Sequence, residues 1–250
     1  MKTACTALAA VVLSLCIDVS SGGSQAGASS VAGQTIGSTP QRVHLDATST
    51  LRDLLGHPAL KEFAPLVLPW DDRAYDEQLP LTRIGSLLPY HTHVDPDAVV
   101  AGLNRMIDDA ADGRTVFYRF YTAAQTQQVP SAAKTGVFFF RGRPGAPFAV
   151  IASGGGFSYV ASVHEGLPYA MAISSKGYNA FVLKYRVGRG GTMATQDMAA
   201  ALSYILEHAA TLGVDTNGYS LWGSSVRALI SVTRRSPPCP RELLQVPDLE

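Results

Sequence analysis

The stretch Gly218-Tyr219-Ser220-Leu221-Trp222-Gly223-Ser224-Ser225 constrains this chain more than any other, because it reads as a β-strand running straight into a serine on a sharp turn. A G-x-S-x-G spacing at such a place has a physical basis. The serine is held in a strained backbone conformation with its Oγ clear of the sheet, and small flanking residues let the next helix pack close to the strand. Gly223 takes the first glycine position and Ser225 the serine position. At the second glycine position stands Arg227, whose Cβ and long side chain press on the same crossing, so the pattern is half kept. Taken alone, Gly-x-Ser is equally an ordinary turn serine, and the weight of the motif depends on what precedes it.

What precedes it is a second glycine feature. Phe148 to Ser153 is a short, continuously apolar run, as expected for a strand buried on both faces. It ends in Gly154-Gly155-Gly156-Phe157, where successive glycines let the backbone approach a ligand and aim its N–H groups at one point. A phosphate-binding loop is one functional reading, but the chain has neither G-x-G-x-x-G spacing nor a following Gly-Lys-Ser/Thr. A flexible turn is the other alternative.

Around these two features the pattern is that of an α/β domain. Asp95 can cap a helix with Pro96 in its first turn, Val99, Leu103, Met106, Ile107 and Ala110 recur on one face, and Gly113 ends it. Thr115 to Tyr121 and Gly136 to Arg141 are aromatic and β-branched, with a turn-rich linker around Pro130 to Lys134, and predict an antiparallel pair. A helix over about Glu165 to Lys176 and a strand over Asn179 to Val187 complete a right-handed parallel unit with the strand before the glycines. A further helix, Thr195 to Leu212, leads to the strand Gly218 to Gly223. The prolines between Leu51 and Tyr90 predict short helices and loops, covering a sheet edge or reaching over the site.

Composition narrows the partners. Twenty basic and twenty acidic residues balance to zero formal charge, so there is no electrostatic case for nucleic acid or an anionic membrane surface. A small, largely uncharged substrate fits better, and no cofactor is called for. Lys2 and the apolar run Ala4 to Ile17, followed by Ala26-Gly27-Ala28, read as a secretory signal peptide over residues 1–28, too short to span a bilayer. Leu13-Ser14-Leu15-Cys16 has a trace of a lipoprotein signal, but Leu15 stands where such signals carry a small residue. Cleavage near Ala28 would leave Cys239 without an intramolecular disulfide partner. Residues 29–50 read as a flexible lead-in. His91-Thr92-His93 with Asp95 has the start of a zinc-ligand string, but Pro96 replaces its last histidine and Asp95 already has a capping role.

Taken in order, GGGFSYVASVHEG, NAFVLKYRVG, the helix with its Asp197, and GYSLWGSS resemble the acetyl-esterase/lipase-like branch of the α/β-hydrolase superfamily, which includes enzymes that remove acyl groups from carbohydrates. The match runs from Leu79 to Ser225. The resemblance implies an α/β fold with a mainly parallel sheet flanked by helices, and an incomplete hydrolase domain over residues 51–230. It implies carboxylic-ester hydrolysis through an acyl-enzyme, on a small-molecule or carbohydrate ester. It places Ser225 as nucleophile, Gly155 and Gly156 as loop donors of the oxyanion hole, and Val226 as the residue whose backbone N–H completes it. Relatives often carry His-Gly-Gly-Gly at the loop, where this chain has Ser153. Tyr185-Arg186 matches a pair whose expected role is structural ion pairing.

The pattern departs from the family after the serine, where the acid and the histidine of the triad should follow in that order. No histidine follows Ser225, and Glu242, Asp248 and Glu250 lie in a short tail. A serine without an imidazole to take its proton is a poor nucleophile. Residues 231–250, with Arg234-Arg235, Pro237-Pro238 and Pro240, read as an irregular tail, and the expectation is a frameshift or premature end just after Ser225 that leaves the sheet short of its last strands and the enzyme weak or inactive. A non-catalytic ligand-binding or carbohydrate-binding module of hydrolase ancestry is the alternative. His164, in the loop after the glycines, is a candidate substitute base.

Overall fold

The computed structural model describes residues 42–88, 93–188 and 191–224. The signal-peptide reading, Cys16, His91, Ser225, Val226, Arg227 and the tail lie outside the described residues.

The apolar runs form the strands β1 (Phe117–Tyr118), β2 (Gly136–Phe140), β3 (Phe148–Ala152), β4 (Asn179–Lys184) and β5 (Tyr219–Gly223). Their order in the sheet is β1-β2-β4-β3-β5. β1 with β2 and β2 with β4 are antiparallel, while β3 is parallel to both β4 and β5. The sheet is therefore mixed, with its parallel part built around β3. Every residue of β2, β3 and β4 is buried, which is why these segments read as unbroken apolar runs rather than alternating ones.

The pleat sends alternate side chains to two separate cores. Phe138, Phe140, Ala149, Ile151, Ala180 and Val182 face one core. It is closed by α3 (Pro96–Ala111), by α5 (Leu167–Ser175), and by the N-terminal segment with α1 (Leu51–Gly56) and α2 (Ala64–Val67). Val137, Phe139, Phe148, Val150, Phe181 and Leu183 face the other, closed by α6 (Thr192–Glu207) and α7 (Ala209–Leu212). Phe139 stacks on Phe181 with ring centroids 4.3 Å apart. Between β1 and β2 lie α4 (Ala123–Gln128) and a 3-10 turn, Pro130–Lys134.

The chain steps from β3 to β4 through α5, then back across β3 to β5 through α6. Crossovers of one hand that step in opposite directions must put their helices on opposite faces, and α5 and α6 do lie against opposite cores. The loops leaving β3 and β4 thus diverge to opposite sides of the sheet. The carboxyl ends of these two strands are thus a topological switch point, the position where open α/β sheets bind ligands.

Several expected elements differ in extent. The strand over Thr115 to Tyr121 is only a two-residue ladder, because Thr122 and Gln125 form a reciprocal capping box that starts α4 directly after it. The predicted helix over Glu165 to Lys176 begins as a π-helical turn, Ser162–Gly166, before α5. The predicted helix over Thr195 to Leu212 starts earlier, at Thr192, and breaks at His208. Of the lead-in, residues 42–50 are tied to α3: Asn104 bonds both the N–H and the carbonyl of Leu45, at 2.8 Å each, and Leu45 is buried. Among the described residues no helix is long and apolar enough to cross a membrane.

One buried charge joins the N-terminal segment to the sheet. Lys184, the last residue of β4, has a side chain with no exposed surface. Its Nζ lies 3.0 Å from Asp71 Oδ1 and donates to the Leu68 carbonyl at 3.3 Å. Burial pushes the ammonium pKa down, and Asp71 works against that shift. Removing one partner of a buried pair leaves an uncompensated charge, so Asp71→Ala is expected to cost about 3 to 5 kcal/mol, whereas Lys184→Met with Asp71→Asn stays much closer to the parent. Urea denaturation of the three proteins measures the difference.

Candidate active site

The pairing of Ala152 with Gly223 sets the carboxyl ends of β3 and β5 side by side, so the glycine loop leaves the sheet next to the serine turn. The contact is direct. The Gly154 N–H is shared between Ser224 Oγ at 3.0 Å and Glu165 Oε2 at 2.8 Å, and the Ser224 hydroxyl donates to the same Glu165 oxygen. Glu165 comes from the π-helical turn Ser162–Gly166 and is half-buried. Ser224 therefore has its proton and a lone pair engaged beneath the loop, and is a bridging group.

The loop itself holds conformations that exclude most side chains. Gly155 has φ +145° and Gly156 has φ +58°. A Cβ on Gly155 would overlap the Tyr159 carbonyl, whereas one on Gly156 would meet nothing. Phe157, not a glycine, is held at φ +61°, an uncommon value of the kind that gathers at functional sites. Its carbonyl accepts from Gly188 N at 2.7 Å, and its ring lies over Gly191, where a Cβ would collide with it. Carbonyls of the loop are also held: Gly154 O accepts from Ala161 N at 3.0 Å and Gly155 O from Ser158 N at 2.9 Å. Among the described residues nothing accepts from the N–H of Gly155 or Gly156. A loop with its carbonyls tied down and two adjacent donors unengaged suits a developing negative charge.

The segment after β4 lies against the glycine loop. The Tyr185 hydroxyl donates to the Ser153 carbonyl at 2.7 Å, just before the glycines, and burial holds this phenol well above the usual tyrosine range. Arg186 forms the expected structural ion pair, its guanidinium on both oxygens of the fully buried Asp197 at 2.6 to 3.1 Å and its own N–H on Asp197 Oδ2 at 2.7 Å. Tyr121 completes the group, its hydroxyl donating to Asp197 Oδ1 at 2.7 Å. Beside it opens a cavity of about 370 Å³ lined by Asp71, Lys134, Tyr185, Arg186, Val187 and Met193.

Two other sequence candidates are placed differently. His164 is buried, with Nε2 at 2.9 Å from the Ile84 carbonyl; a carbonyl only accepts, so Nε2 carries the proton and is spent on the 3-10 turn Leu81–Leu87. The neighbour of His164, Glu165, is the side chain that reaches the loop. Reasoning from residue types passed over Glu165, although it lies within the same GGGFSYVASVHEG run. Asp95 caps α3 by accepting from Asp97 N at 2.9 Å, and among the described residues no group of three His, Cys, Asp or Glu could hold a metal ion.

No family model and no curated protein sequence matches the chain. Among solved structures it is similar over part of its length to an α/β-hydrolase enzyme from a Medee basin deep-sea metagenome library, at 21% identity over 42% of this chain and 43% of that one, TM-score 0.34. It is similar also to a thermophilic esterase of the planctomycete Thermogutta terrifontis, at 20% identity over 44% of this chain and 39% of the other, TM-score 0.37. A third is an acetyl ester-xyloside bifunctional hydrolase of Caldicellulosiruptor lactoaceticus, at 19% identity over 44% and 43%, TM-score 0.38. The chain spans less than half the length of each of these proteins.

The geometry separates the two loop glycines. Gly155→Ala is expected to break the loop, whereas Gly156→Ala carries only left-handed strain of about 1 to 2 kcal/mol; thermal melts with amide shifts across residues 153–160 distinguish them. The Tyr185 phenol predicts a pH effect. Its folded pKa lies above the ordinary value of 10.0 that it takes when unfolded, so its contribution is complete below pH 10 and lost as pH rises through the folded value. Alkaline titration of stability is expected to show a shallower fall in Tyr185→Phe than in the parent.

Proposed function

We propose that the chain is a serine hydrolase of esterase type and α/β-hydrolase ancestry, acting on carboxylic esters by an acyl-enzyme route. Ser225 is the nucleophile, and the N–H groups of Gly155, Gly156 and Val226 form the oxyanion hole. The observation that carries this reading is the shared Gly154 N–H, which brings the glycine loop against Ser224, the residue next to Ser225. The divergence of the connections at the carboxyl ends of β3 and β4, and the N–H groups of Gly155 and Gly156, unengaged among the described residues, support it.

In this reading the Ser225 hydroxyl attacks the ester carbonyl, the carbonyl oxygen takes up negative charge against the backbone donors, the alcohol leaves with a proton, and water releases the acid. The cavity beside Tyr185 would receive a small acyl or alcohol portion. Acetyl and carbohydrate esters are the proposed substrate class, on the resemblance of the sequence, and export is the proposed destination.

A fluorophosphonate probe tests the reading, because it modifies a reactive serine covalently. Slow labelling that peptide mass spectrometry maps to Ser225, and that Ser225→Ala abolishes, is expected. Absence of labelling, together with saturable binding of sugar esters, would favour instead a non-catalytic binding module.

A further inference from the structure

We infer that Glu165 is a positioning residue that holds the glycine loop in register with the serine turn, an assignment that rests on the ester-hydrolase reading above. Three groups close on one another at this point. Glu165 Oε2 accepts from both Gly154 N–H and the Ser224 hydroxyl, and Ser224 Oγ accepts in turn from Gly154. One carboxylate oxygen thus ties the first residue of the loop to the residue preceding Ser225. Hydrogen bonds to an ionised acceptor are roughly twice as strong as neutral ones, which suits a joint between two segments that share no ladder beyond Ala152 and Gly223.

The loop requires such a tie. Its glycines have the widest conformational freedom of any residue, and its tertiary bonds hold carbonyls: Gly154 O, Gly155 O and Phe157 O. On the donor side, where an oxyanion would be met, Gly154 is the loop glycine whose N–H is anchored among the described residues, and Glu165 is the nearer of its two acceptors, itself holding the other, Ser224. Fixing that one peptide sets the direction of the next two N–H groups.

Glu165 is itself held from behind. It sits in the π-helical turn Ser162–Gly166, and its N–H donates to the Ala161 carbonyl at 2.9 Å. Gly166, the next residue, packs so closely on Val182 of β4 and on Ser153 Oγ that a Cβ there would collide with both. The turn is therefore seated against β4 and against Ser153, directly under the loop. A π turn inserts one residue into helical geometry and rotates the side chains around it, and such turns are frequent at functional sites. Here the rotation directs Glu165 toward Gly154, while His164 is directed to Ile84.

The test uses the full chain with Glu165→Ala and Glu165→Gln. Amide exchange read by NMR is the readout independent of activity. In Glu165→Ala the Gly154 amide is expected to exchange about tenfold faster or more, while Ile151 and Val182 keep their protection and show that the sheet is intact. In Glu165→Gln the amide oxygen still accepts, and Gly154 stays protected. The second readout is reaction at Ser225. Misplacing the reacting groups should slow fluorophosphonate labelling by about a hundredfold in Glu165→Ala. Any measured ester turnover should lose kcat with KM within about twofold, and Glu165→Gln should restore most of the rate. Unchanged Gly154 exchange in Glu165→Ala overturns the assignment whatever the labelling shows, as does equal labelling of parent and variant. A parent chain that is never labelled, but whose Gly154 exchange responds to Glu165→Ala, overturns the hydrolase reading and leaves Glu165 as the tie.

Discussion

Both edges of β3 are hydrogen-bonded in parallel, to β4 on one side and β5 on the other, and the arrangement of the site follows from that constraint. Parallel neighbours end at the same edge of the sheet, so three loops are delivered to one place by strand pairing. β3 contributes the glycines, β4 contributes Tyr185 and Arg186, and β5 contributes Ser224. Moving β3 to the edge of the sheet would separate the glycine loop from one of the other two. The reversal of direction after β4 then sends α5 and α6 to opposite faces, so the loops leaving β3 and β4 part at the switch point.

Charged groups near this edge act as braces. Lys184 and Asp71 pin the N-terminal segment to the end of β4, and Trp70 in that segment lies 4.7 Å from Tyr159, centroid to centroid, just beyond the glycine loop. Arg186 and Asp197 join the end of β4 to α6, with Tyr121 tying in the chain between β1 and α4. At the opposite end of the sheet, where β2 ends beside the start of β4, Asp109 gathers Arg105 and Arg114 at 3.3 and 2.7 Å. Removing such charges from water is costly, and each is matched by an opposite charge and further hydrogen bonds, the condition under which a buried ion is tolerated. These pairs explain several perturbed titrations without any catalytic role. Glu165 differs, because it reaches a loop N–H and a serine hydroxyl and so joins two segments at the candidate site.

The strands β2, β3 and β4 were legible because continuous burial on two faces demands apolar runs, and Gly113, Gly177 and Gly213 mark the ends of the helical segments. The glycine loop was legible for the same kind of reason, since φ +145° against the Tyr159 carbonyl admits no side chain. The length of β1 was not. Thr115 to Tyr121 has strand composition throughout, yet the Thr122 and Gln125 capping box starts a helix that competes for the following backbone, and that box was present in the sequence as a readable signal. The π turn carried no local signal, because it is selected by the contact of Gly166 with Val182 and Ser153, residues distant in the chain.

The sequence by itself determined the class of the fold, a strand that ends at Gly223 beside Ser224, and a glycine loop at the end of a fully buried strand. Those features depend on local chemistry: the period of burial, the φ a residue can adopt, and the fit of small residues at a crossing. Only the tertiary structure decided that β3 lies between β4 and β5, that the Gly154 N–H meets Ser224, and that Glu165 rather than His164 reaches the loop. Strand order and side-chain direction are set by which faces bury most apolar surface together, a property of the whole packed sheet. No window of the sequence contains that comparison.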